Sequence, residues 1–147
     1  QDKSVYLYDA MTKQRLNMLG QANQSIVSLA FSPDSKTVAA TSDDAIVHVW
    51  DAASRKETPM PGHSRAAAGL AIHPAGHLIA TGGDDGMVRI WQRGEGMVSA
   101  WTLGPGPFGS QVKQVAFTPE GRFLATADFN GRFGVAVYYY LSHALGM

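Results

Sequence analysis

The feature that most constrains this chain is an internal repeat. The segment from Val27 to Asp51 recurs, with apolar residues, prolines and acids in the same order, from Gly69 to Trp91 and again from Val115 to Val135. The prolines keep the period: Pro33 and Pro74 are 41 residues apart, Pro74 and Pro119 are 45. The opening residues Asp2 to Asp9 match Asp44 to Asp51 at an offset of 42. One such unit cannot bury its apolar face alone, so neighbouring units must stack and share a core. Residues 1–147 therefore read as one repeat region: the end of one unit (1–19), two whole units (20–61 and 62–108) and a partial final unit with an atypical tail (109–147).

Each unit reads as β-structure. First strands end at Phe31, Ile72 and Phe117, and turns follow at Pro33-Asp34, Pro74 to Gly76 and Pro119 to Gly121, where Pro presets φ and Gly or Asp suits the turn. Second strands are expected at 37–41, 78–81 and 123–126. Third strands place Val47 and Val49, or Val88 and Ile90, on one face. Fourth strands are expected at 15–19 and 97–103. A short one is expected between Trp50 and Gly62, where Pro59 and Pro61 cannot donate to a ladder and so belong at a sheet edge. The fold class is all-β, made of four-stranded antiparallel sheets.

Four strands per period, Trp50-Asp51 closing a third strand, and Gly62-His63 ahead of a first strand resemble the WD-repeat β-propeller family, over about residues 1 to 135. The resemblance implies propeller-type blades in an incomplete ring of about three. It also implies a buried network in each blade, joining a His before the first strand, a Ser or Thr on the second, an Asp in the next turn and the Trp. Such a network is physically reasonable, because a buried carboxylate is costly unless several donors satisfy it. His63, Thr81, Asp85 and Trp91 fill all four positions. The preceding unit offers Thr41, Asp44 and Trp50, with Ala22 where the His would stand. The last keeps Thr126, with Asn130 and Ala136 in place of Asp and Trp, and the opening fragment keeps Asp2 with Tyr8 for Trp. The middle blade is expected to be the best ordered and the last the weakest.

Composition removes several chemistries. The chain has no cysteine, so disulfides, thiolate metal sites and Cys nucleophiles are excluded. Twelve Lys and Arg balance twelve Asp and Glu, which argues against a phosphate-backbone or membrane-surface binder. The glycines of Gly104 to Gly109 mimic a dinucleotide fingerprint, but a strand follows where the phosphate cradle needs a helix N-terminus. His73 and His77 have a metal-like spacing, yet they flank a turn rather than lying on a helix; His48 and His143 have no such pattern. Asp43-Asp44 and Asp84-Asp85 read as one network acid and one solvated turn residue each. No catalytic constellation and no cofactor are expected. The start at Gln1, without Met or a signal peptide, suggests a mature or truncated N-terminus, and the expected location is cytoplasmic.

The functional expectation is a non-enzymatic scaffold that binds protein or peptide, as a fragment of a larger propeller protein. The alternatives are a ligand-binding or enzymatic propeller using the central channel, or a repeat region of a bacterial signalling or kinase protein. Open blade edges at both ends suggest pairing with another copy. In the family, partner contacts on the top face recur at three positions per blade. Carried over, these are Ser25, Val27 and Asp43; Ala66, Ala68 and Asp84; Gln111, Lys113 and Phe129. Asp43, Asp84, Lys113 and Phe129 are the expected anchors, because charged and aromatic groups dominate interface energetics.

Overall fold

The computed structural model describes residues 3–93, 98–105 and 110–128. They form twelve strands: β1 (Ser4–Tyr8), β2 (Arg15–Gln21), β3 (Ile26–Phe31), β4 (Thr37–Ser42), β5 (Ile46–Asp51), β6 (Glu57–Pro61), β7 (Ala67–Ile72), β8 (Leu78–Gly83), β9 (Met87–Arg93), β10 (Val98–Pro105), β11 (Val112–Phe117) and β12 (Leu124–Asp128). No helix occurs among the described residues, so none is long and apolar enough to cross a membrane. The strands make two complete sheets, β3-β4-β5-β6 and β7-β8-β9-β10, flanked by the two-stranded sheets β1-β2 and β11-β12. All pairings are antiparallel. The fold is thus the expected all-β stack of blades. The tail from Phe129, with its three tyrosines, lies outside the described residues.

The same hairpin joins first to second strand three times. The backbone N–H of Ser35, Gly76 and Gly121 donates to the carbonyl of Ser32, His73 and Thr118, and those three residues donate in turn to Thr37, Leu78 and Phe123. The fourth residue of each turn is left-handed, at φ 60° for Ser35, 81° for Gly76 and 74° for Gly121, which explains glycine at two of the three sites. The Asp after the aromatic residue holds the outer turn. Asp51 Oδ1 accepts from the N–H of Ala53 and Ser54, and Asp9 does the same for Met11 and Thr12.

Packing occurs between sheets, at three junctions. Val5 and Leu19 of the first sheet meet Val38, Ala40 and Trp50. Ala39, Val47, Val49 and Met60 on the opposite face meet Ile79, Trp91 and the half-buried Leu70 and Ile72. Leu78, Ala80, Val88 and Ile90 meet Val112, Val115 and Leu124. Because neighbours cover both faces of a complete sheet, β4 and β8 are buried at every position, and their sequences lack the polar alternation of a half-exposed strand. Each large apolar side chain sequestered this way contributes about 1.5–3 kcal/mol. Pro59 and Pro61 sit in β6, the edge strand of its sheet.

Candidate functional site

The second complete sheet carries a continuous chain of hydrogen bonds. The Trp91 indole N–H donates to Thr81 Oγ1 (2.8 Å), the Thr81 hydroxyl to His63 Nε2 (2.8 Å), and His63 Nδ1–H to Asp85 (3.1 Å). Thr81 can accept from the indole and donate to the imidazole only if Nδ1 carries the ring proton. Asp85 also accepts from the backbone N–H of Ser64 and Met87. Burial pushes the Asp85 carboxyl up, but these two N–H groups and His63 outweigh it and hold the pKa below the ordinary value. Burial holds His63 below its ordinary value against the pull of Asp85. Glycine precedes this histidine for a steric reason: a Cβ on Gly62 would stand 2.7 Å from the Trp91 ring.

The first complete sheet has no such chain. Ladder register decides it. Leu70 pairs with Thr81, whereas the equivalent Leu29 pairs with Ala40. Ala40, not Thr41, therefore occupies the Thr81 position, and Thr41 points to the opposite face, where its hydroxyl donates to the Ala68 carbonyl (3.0 Å). One residue of register exchanges the two faces of a strand. With Ala22 and Ala40 replacing His and Thr, the buried Trp50 Nε1 has no hydrogen-bond partner among the described residues. Its ring is held instead by stacking on His48, at 5.6 Å and 10° between planes. His48 is buried, and its ring nitrogens meet Glu57 (2.6 Å) and Asp44 (3.1 Å). Asp44 also accepts from the N–H of Ile46 and Asn23; burial alone would raise its pKa, but these bonds lower it. Thr126 is buried on β12, while Asn130 and Ala136 lie outside the described residues.

Above this network the three first strands share an irregularity. A β-bulge interrupts each ladder, between Ile26 and Ser28, Ala67 and Gly69, and Val112 and Gln114. The extra residues are Val27, Ala68 and Lys113. Bulges re-aim side chains, and here all three line one groove of about 280 Å³, with Ser28, Gly69, Leu70, Gln114 and Val115. The inner strands approach closely at Gly69, where a Cβ would be 3.1 Å from the Gln114 backbone.

Asp43 and Asp84 lie in equivalent turns at the same end of the stack, their N–H groups donating to Ser25 and Ala66. Asp43 is exposed. Asp84 instead forms an ion pair with Lys113 across the junction between the second and third inner strands (2.5 Å). Two of the four expected anchors are thus each other's partners, and Phe129 lies outside the described residues. Ser25 and Gln111 are half-buried, and Val27 is 48% exposed, while Ala68 is buried. His73, noted in the sequence only for its spacing to His77, has a role that the structure alone reveals. It is buried, donating Nε2–H to the Gly121 carbonyl of the next sheet (3.0 Å) and accepting from Ala75 N–H. Among the described residues, no group of three His or acidic residues is arranged to hold a metal ion.

Repeating sheets with inner strands around a groove, one of them pinned by a Trp–Thr–His–Asp chain, define a propeller blade stack. The model of the WD domain, G-beta repeat, matches residues 13–51 and 54–92, more than half of the chain; the protein belongs to the WD-repeat family. Each matched unit straddles two sheets, taking the outermost strand of one and the three inner strands of the next. The chain is 35% identical over 63 residues to protein tipD of Dictyostelium discoideum, covering 42% of this chain and 10% of that protein. It is 29% identical over 76 residues to pre-mRNA-processing factor 19 of Mus musculus, covering 51% of this chain and 15% of that protein. The Rattus norvegicus counterpart gives the same figures. The chain therefore spans 10 to 15% of the length of these curated relatives. WD-repeat proteins in general mediate protein interactions without chemistry of their own.

Proposed function

We propose that this chain is a non-enzymatic interaction module that binds an extended protein segment across the groove mouth. The observation that carries the reading is the recurrence of the bulge: three strands place Val27, Ala68 and Lys113 into one groove, where Lys113 pairs with Asp84 and Asp43 bonds Ser25, two residues before Val27. The site is preorganised by the sheets beneath it, so a ligand need not order it on binding. Exposed Asp43 and Val27 favour a peptide carrying Lys or Arg next to an apolar residue. The Asp84–Lys113 pair offers a second, weaker contact, its charge already half-satisfied. Among the described residues lining the groove, Lys113 alone is titratable, which supports binding rather than acid–base chemistry there. Zero net charge supports a protein or peptide ligand over nucleic acid. Selection of a random peptide library on the immobilised chain tests this. Enriched peptides should carry a base beside an apolar residue and lose at least tenfold in affinity for Asp43→Lys. No enrichment, or affinity indifferent to Asp43→Lys and Val27→Asp in folded variants, refutes it.

A further inference from the structure

The turns joining β4 to β5 and β8 to β9 have the same construction. Asp43 and Asp84 donate their N–H groups to the carbonyls of Ser25 and Ala66, and Ala45 and Gly86 donate theirs to Ser42 and Gly83. The acid that follows is pinned alike in both: Asp44 accepts from the N–H of Asn23 and Ile46, and Asp85 from the N–H of Ser64 and Met87. Asp43 and Asp84 therefore leave equivalent points of two successive sheets. What meets them across the next junction differs. Asp84 meets Lys113, the bulge residue of the following first strand, at 2.5 Å. The bulge residue of the strand that follows Asp43 is Ala68, whose methyl group carries no charge. Asp43 is exposed and, among the described residues, forms no ion pair. Ala68 and Lys113 line the same groove, so the position left without a cation opens on it.

We propose that Lys113 sets the charge specificity of the groove: it occupies Asp84 as a built-in copy of the ligand's base, and a lysine or arginine of the bound segment takes the equivalent place between Asp43 and Ala68. The assignment depends on the groove being a peptide site. Because Asp84 is already answered from within the chain, the site recognises one ligand cation rather than two. Ala68 leaves the room, since a long cationic side chain there would reach Asp43 as Lys113 reaches Asp84. The ligand's base copies the approach of Lys113, its charge toward the acid and its alkyl stem against the apolar groove residues Val27 and Leu70. The side chains of Lys113 and Asp84 keep 35% and 23% of their exposure, and an ion pair so open to water stabilises a fold little. Its consequence is for selectivity: an acid already paired offers less to a second cation.

The test titrates the full chain with acetylated, amidated hexapeptides of alanine and leucine that carry no lysine, one, or two at every spacing. For the parent chain the first lysine should tighten binding about fivefold and the second add less than about twofold. For Lys113→Ala, which frees Asp84, the second lysine should add about fivefold as well. Lys36→Ala removes the same charge at the opposite end of β3 and β4 and should keep the parent's pattern. Ala68→Lys, where circular dichroism shows it folded, should lose the gain from the first lysine. If the parent binds one-lysine peptides but Lys113→Ala gains nothing from a second lysine, the role of Lys113 is overturned and the groove reading stands. Equal gains in Lys113→Ala and Lys36→Ala would reduce the effect to net charge and overturn it too. Failure of the parent to bind any of the peptides overturns both readings together.

Discussion

Replacing Thr81 by Val keeps the shape of the side chain and removes one oxygen. That oxygen accepts from Trp91 and donates to His63, and both partners are buried. The variant strands an indole N–H and an imidazole nitrogen. Each unsatisfied buried group costs about 1–3 kcal/mol, so the loss should be about 2–4 kcal/mol. The same change at Thr41, which the sequence presents as the equivalent residue, removes a single bond to the Ala68 carbonyl and should cost about 1 kcal/mol. Urea unfolding followed by far-ultraviolet circular dichroism, with the midpoint shift read at a common slope, measures both. A double variant with His63→Ala should fall well short of additivity with Thr81→Val, because both break one chain. Equal costs at Thr41 and Thr81 would refute the register argument and, with it, the claim that the first complete sheet lacks the network.

Ala40→Ser places a hydroxyl beside the unpartnered Trp50 Nε1 and should stabilise by about 0.5–1 kcal/mol, seen as a raised urea midpoint. Ala45 adopts φ 67° where the next sheet has Gly86 at 77°, so Ala45→Gly should also stabilise, by about 0.5–1 kcal/mol. Trp91→Ala should cost about 3–5 kcal/mol, and Tyr8→Ala far less in dilute solution, since Trp91 is 2% exposed and Tyr8 60%. His63 and His73 both have folded pKa values below the ordinary 6.5, chiefly through burial. The unfolded chain therefore binds more protons, and the stability they contribute is complete above pH 6.5 and lost as pH falls below it. Denaturation midpoints between pH 7.5 and 5 should show this loss, and His73→Gln should flatten it.

Much of the fold was legible because turn chemistry and period repeat in register. The first strands end at Phe31, Ile72 and Phe117 as read, and only strand margins moved: β2 runs to Gln21, β10 covers Val98–Pro105 and β12 Leu124–Asp128. The site was less legible. Thr41 lies three residues before Asp44, but Thr81 lies four before Asp85; counting back from the acid would have selected Ala40. Matching threonine to threonine hid a change of face. The His48 bridge between Asp44 and Glu57 depends on cross-strand neighbours that no local pattern encodes. The same holds for the His73 bond to Gly121, which spans 48 residues. Val27, Ala68 and Lys113 are unlike one another in side chain, so their common bulge leaves no compositional trace; only the ladder registers reveal it.

The central claim is that successive repeats form one stack held at shared junctions, rather than a row of independent hairpins. Amide hydrogen exchange on a dilute sample tests it most directly, because protection reports the opening free energy of each strand. The account predicts the slowest exchange in β4, β5, β8 and β9, which are covered on both faces, and faster exchange in β1-β2 and β11-β12. Uniform protection, or slowest exchange in the end pairs, would contradict it.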